Sequence, residues 1–237
     1  MLSMNKFSIR ILNLLIGTLL YALGIVFTLK ANIGYAPWEV FHVGLSLATG
    51  LSIGGAAIIA GIVIVIIVTA CGEKIGLGTL CSMIITGVLI DLIIMLDVIP
   101  LSENLTVGIM MLVTGFIIIS AGSYFYIKSA FGVGPRDNLM VVLKRKTKMP
   151  VGIGRSIVEL TVTLAGWILG GMVGTGTVIS IFGIGLFIQI TFVFLKFDPT
   201  AVAHETIKQT YKTHRRPFVI FLLLSVVLSS IFYIIFY

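Results

Sequence analysis

Glu39 and Asp137 stand 98 positions apart, each two residues after a proline and each in an otherwise apolar neighbourhood. The first lies in KANIGYAPWEVFHVG (30–44) and the second in KSAFGVGPRDNLMVV (128–142). A carboxylate so placed can complement the partial positive charge at a helix start. It can equally hold a cation, a proton or a polar solute in a cavity. Glu39, His42, Ser46 and Thr49 fall on one helical face, which lines either a cavity or interfacial water; Arg136 stands directly beside Asp137. Asp91 in GVLIDLIIML and Gln189 in GLFIQITF are again 98 positions apart. Polar groups inside membrane helices are rare and costly, so this pair reads either as halves of one site or as helix–helix hydrogen bonds. Glu159 follows Arg155 by four residues on one helical face, as an intrahelical pair or as part of a site. The candidate substrate- or ion-binding set is therefore Glu39, His42, Asp91, Arg136, Asp137, Glu159 and Gln189, with Gly34, Pro37, Gly132, Gly134 and Pro135 as the backbone that breaks the helices.

Catalytic chemistry has no foothold here. There is no HExxH, nucleophile elbow or phosphate loop, and His42, His204 and His214 are scattered. Cys71 and Cys81 lack metal-ligand or redox spacing. The expectation is a protein that is not an enzyme and uses no metal and no cofactor. GLGT (76–79) and GTGT (174–177) read as tight turns with a threonine N-cap.

The elements that must position these residues follow from composition. Hydrophobic residues make up 58% of the 237 and charged ones only 11%, against about a quarter charged in soluble domains. Several apolar runs reach the roughly 18 residues needed to cross a hydrocarbon core about 30 Å thick. The chain reads as an all-α polytopic membrane protein. Its net charge of +7 gathers beside apolar segments, where Lys and Arg set topology, so nucleic acid is not an expected partner. The N-terminal apolar run is longer than a signal-peptide core and is expected to stay as the first helix.

Hydropathy places crossing helices at about 10–29, 53–71, 78–97, 107–127, 151–170, 176–195 and 218–237. Two further helices, about 37–49 and 135–147, are too short to span unaided. Laid without gaps on 109–196, residues 11–98 give 20 identities in 88 positions. The matches include Gly17, Gly24, Gly34, Pro37, Gly54, Gly76, Gly78, Thr79 and Gly87, so turns and close-packing points repeat while apolar filler drifts. Charge then assigns faces. Segment 30–57 is neutral whereas 128–155 carries +6, and 95–108 holds Asp97 and Glu103 whereas 193–216 carries +3. Equivalent segments with opposite bias point to opposite sides of the membrane.

The preferred plan has two inverted repeats, 1–98 and 99–196, each with three crossings and one short broken or re-entrant helix. A basic cytoplasmic link (197–216) and a seventh helix (217–237) follow, and the N-terminus is cytoplasmic. The competing plan lets the short helices span, giving parallel repeats and nine crossings.

In ANIGYAPWEVFHVGLSLATGLSIG, with GLGT some twenty residues on, the chain resembles the YczE/YitT-type bacterial integral membrane proteins. Gly34, Pro37, Trp38, Glu39, Thr49, Gly50, Ser52, Ile53, Gly54, Gly76, Gly78 and Thr79 carry the likeness. Gly132, Gly134, Pro135, Arg136, Asp137, Gly152, Gly154, Arg155, Gly174, Gly176 and Thr177 carry it in the second half, over roughly residues 10–196. Glu39 departs from the more usual Asp. The resemblance implies a bacterial plasma-membrane location and adds no substrate. Two functions stay open: a small secondary transporter or exporter of a small solute, or an accessory protein acting on a partner through 144–155 or 197–216. Expected partners are the lipid bilayer, a small-molecule substrate, and a second copy or another membrane protein.

Overall fold

A computed structural model describes residues 2–214 and, beyond them, Val219, Leu223, Val226, Val227 and Ser230; the side chains of residues 2–5 and of Val151 are outside the description. The chain order is α1 (Leu2–Lys30), α2 (Pro37–Thr49), α3 (Ile53–Ala70), α4 (Leu77–Leu96), α5 (Leu105–Lys128), α6 (Pro135–Thr147), α7 (Val151–Ile168), α8 (Thr175–Phe194), a 3-10 turn (Pro199–Ala201) and α9 (Ile207–Thr213). No strand occurs among the described residues. The expected helix at 218–237 lies almost wholly outside them.

Among the described residues, five helices are long and apolar enough to cross a membrane: α1 from Lys6, α3, α4, α5 and α8. The segment expected to cross at 151–170 forms α7, which follows α6 at a bend of 120°, so that the two together make one broken span or a re-entrant loop. Large apolar side chains stay uncovered on the outer faces, with Phe194 83% and Phe182 76% exposed. In water such a surface would drive aggregation; hydrocarbon solvates it.

The helix breaks form where the sequence places them. Pro37 and Pro135 open α2 and α6, where the missing N–H costs nothing. Gly50 and Lys148 close those helices in the left-handed conformation. Gly34 and Gly132 have φ of 108° and 122°. A Cβ at Gly34 would lie 2.5 Å from the Gly174 nitrogen, so both backbone sign and space demand glycine. Positive φ also recurs at Asn32 and Ala130 and at Gly72 and Gly170, always 98 positions apart.

Contacts between the halves are exchanged at that same offset. The Gly176 N–H donates to Ile33 O at 2.7 Å, and the Gly78 N–H donates to Phe131 O at 2.7 Å. Each broken loop thus supplies an acceptor to the exposed N–H groups at the start of a helix in the other half. Thr79 and Thr177 are not N-caps as the sequence led us to expect. They sit one turn inside, and their hydroxyls accept from Gly76 N–H and Gly174 N–H. The N-cap positions are glycines because backbone approaches too closely for a side chain; a Cβ at Gly76 would lie 2.0 Å from Phe131 O.

α1 and α5 cross antiparallel. Arg10 reaches Ser129 O and Ala130 O, Gly17 packs on Gly122 and Tyr126, Gly24 on Gly115 and Ile119, and Gly108 on Ala31. Small residues let these backbones touch, as van der Waals packing inside lipid requires. α2 packs on α7 through Gly44 against Gly166, and α6 packs on α3 through the cluster of Trp38, Ile64, Val68 and Val142. One relation is unequal. α3 lies closely along α4, whereas α7 and α8, the corresponding pair, hardly touch.

Candidate functional site

Where α7 stands off α8, a cavity of about 560 Å³ opens among α1, α2, α5, α6, α7 and α8. Its size is that of a small-molecule site. The two proline-started helices bring their first turns to it. α2 contributes Pro37, Trp38 and Glu39, and α6 contributes Arg136, Asp137, Met140, Val141 and Lys144. α7 adds Arg155 and Glu159, α8 adds Ser180, Ile184 and Ile188, and Tyr21, Ile25 and Ile119 form the apolar side.

Arg136 and Trp38 occupy matching positions of the two halves and stack on each other, with the guanidinium carbon 4.6 Å from the ring centroid. Arg136 also lies 3.7 Å from Glu39 Oε1, a loose ion pair whose carboxylate side is almost fully buried. Asp137 is exposed, and the surface it faces is the cavity. Its carboxylate accepts from the Gly134 N–H and lies in the Coulombic field of Arg155 and Arg136. Glu39 likewise doubles back to its own backbone N–H. Both carboxylates therefore complement their helix starts, and Asp137 at the same time presents charge to the cavity. Arg155 Nε donates to Glu159 Oε1 at 2.7 Å across one helical turn.

Four of the seven candidates, Glu39, Arg136, Asp137 and Glu159, thus meet in one space. Three do not. His42 is buried on α2 beside Trp38 and Phe41 and does not line the cavity. Ser46 and Thr49, on the same stripe, return their hydroxyls to Leu51 O and Leu45 O. Asp91 and Gln189 do not share a site. Asp91 is buried between α3 and α4, its Oδ2 accepting from Ser52 Oγ at 2.6 Å and its Oδ1 from Gly54 N–H at 2.7 Å. It clamps the start of α3, whereas Gln189 is exposed on α8.

Sequence reasoning missed Tyr21, Trp38, Lys144 and Ser180 as lining residues. Trp38 carried a signal, since it stands opposite Arg136 in the repeat alignment. Tyr21, whose hydroxyl accepts from Ser123 Oγ, faces Ile119 in that alignment and carried none. No cluster of three His, Cys, Asp or Glu able to hold a metal occurs among the described residues.

Residues 8–192 match the model of the Family of unknown function (DUF6198). The chain belongs to this family. Among its relatives, the chain is 32% identical over 179 residues to the "Uncharacterized membrane protein YczE" of Bacillus subtilis (strain 168), covering 74% of this chain and 81% of that one. It is 28% identical over 179 residues to an "Uncharacterized protein" of Haemophilus influenzae, covering 73% and 81%. It is also 28% identical over 170 residues to the "Uncharacterized protein YyaS" of Bacillus subtilis (strain 168), covering 70% and 84%. No solved structure matches. The likeness to YczE, with the apolar helices, makes this DUF6198 protein an integral, multi-pass membrane protein of the YczE type. The matched stretch holds both broken loops and every cavity residue, so the cavity lies inside the family region.

Proposed function

We propose that this DUF6198 protein is a small secondary transporter of the bacterial plasma membrane, built as two inverted repeats with a cytoplasmic N-terminus. One observation carries the reading: the cavity forms where the first turns of two proline-broken helices meet, each from one half of the chain. Matched breaks at corresponding places in two halves are where secondary transporters hold their substrate. The antiparallel crossing of α1 and α5 and the exchanged bonds at Ile33 and Phe131 support an inverted relation.

The lining narrows the cargo. Glu39 pairs with Arg136 and Glu159 with Arg155, leaving Asp137 and Lys144 without an ion-pair partner among the described residues. They sit seven positions apart on one face of α6, about 10 Å along the axis. A small solute carrying a cationic group for Asp137 and an anionic group for Lys144 fits that space.

The test is untargeted metabolite profiling of a deletion strain, then flux of the best candidate into proteoliposomes of the full chain. Flux should fall at least about tenfold in Arg136→Gln and in Asp137→Asn, equivalent to about 1.4 kcal/mol of lost interaction. Wild-type flux in both variants would remove the cavity from the pathway. Absence of flux for every candidate would favour an accessory role.

A further inference from the structure

Gly152 and Gly185 pose a problem that the present conformation does not solve. A Cβ added at either would meet nothing within 4 Å. Glycine in a helix is less favourable than alanine, so an untouched one gains nothing here. The residues 98 positions earlier show what such a pair does when its helices meet. A Cβ at Gly54 would lie 1.9 Å from Gly87 O, and one at Gly87 would lie 2.7 Å from Gly54 O. Asp91 seals that contact by accepting from Gly54 N–H and Ser52 Oγ.

We infer that the protein has a second conformation in which α7 swings onto α8, bringing Gly152 against Gly185 and closing the cavity, while α3 parts from α4. The inference deepens the transport reading and rests on its two-repeat plan. In the closed form Gln189 takes the place that Asp91 holds now, its amide oxygen accepting from Gly152 N–H. Pro150 stands where Ser52 stands in the first half and has no hydroxyl to donate. The second seal therefore has one hydrogen bond fewer and no charged acceptor, which makes the conformation described here the resting one. α2 is locked to α7 by Gly44 against Gly166, so α2 travels with the swing and carries Glu39 with it. Packed interfaces with two discrete arrangements are how small differences become such movements.

Disulfide trapping in full-length protein, in liposomes without solute and with Cys71→Ser and Cys81→Ala, tests this directly. Disulfide formation needs Cα atoms within about 7 Å. Gly152→Cys with Gly185→Cys should cross-link under mild oxidation. The control pair is Gly61→Cys with Met83→Cys across α3 and α4, where the Gly61 Cβ would lie 3.6 Å from the Met83 Cβ; it should cross-link from the present conformation. In the four-cysteine chain the two bridges should exclude each other. A third cysteine at Val141, in the cavity wall, should lose maleimide labelling once 152 and 185 are joined, and Ser82→Cys should gain it. Bridging of the control pair without any bridge between 152 and 185 overturns the inference, as does a chain carrying both bridges at once. Because no solute is present, either result leaves the flux measurement to judge transport by itself.

Discussion

Asp91 shows how a single intramembrane acid divides into two readings that only geometry separates. Its oxygens serve Ser52 and Gly54 at the start of α3, a helix clamp away from the cavity. Asp91→Asn keeps an acceptor for Gly54 N–H, so the chain should fold with near wild-type thermal stability and still carry flux. Asp91→Leu strands buried donors and should destabilise by about 1–3 kcal/mol, read as detergent-solubilised thermal stability. Glu205, outside the membrane helices, supplies a pH-dependent counterpart. Burial pushes its carboxyl up, but the hydrogen bonds from Arg10 and Thr210 and the charges of Arg10 and His214 outweigh this and hold it below the usual glutamate range. A carboxylate depressed in the folded state stabilises fully above its unfolded pKa of about 4.3, and that stability is lost as pH falls through the lower folded value. Proteolysis of the 197–206 link should therefore accelerate below about pH 4 in the wild type, and Glu205→Gln should accelerate less there, the remainder coming from Asp198, which the Thr200 hydroxyl and N–H also hold low.

At the scale of elements, the glycines divide into those that touch and those that do not. Gly87→Leu drives a side chain into Ile58 and Gly54 O and should cost about 1–3 kcal/mol or more, read as lost expression and thermal stability. Gly185→Leu has open space, so it should fold normally yet abolish flux by wedging α7 away from α8. Helix starts and stops were largely legible in the sequence because proline and glycine act locally; α2 and α6 occupy the expected residues. The gathering of Glu39, Arg136, Asp137 and Glu159 was legible as a list but not as a place. Which polar group faces which neighbour depends on how helices rotate against each other, and that comes from contacts such as Gly44 on Gly166. The unequal spacing of α3–α4 and α7–α8 was invisible, since the same glycines punctuate both pairs. A repeat in sequence records the contacts a chain can make, and a single conformation uses only some of them.

At the scale of the whole molecule, the antiparallel crossing of α1 and α5 sets a topological expectation. Reporter fusions after residue 50 and after residue 148 should report opposite sides of the membrane, with 148 cytoplasmic; the same side for both would return the nine-crossing plan. The exchanged bonds carry a consequence for biosynthesis. The carbonyl of Ile33 accepts from the Thr175 hydroxyl, 142 residues later in the chain. At about 5–20 residues per second of synthesis, that partner emerges roughly 7–28 s after the first broken loop has been made. Through that interval the Ile33 carbonyl lacks both donors it has in the folded chain, Gly176 N–H and the Thr175 hydroxyl, and an unpaired carbonyl is costly in apolar surroundings. We therefore expect the nascent first half to need an insertase or a membrane chaperone until α8 arrives. Stalling translation between residues 140 and 170 should trap it there, open to cross-linking with that machinery.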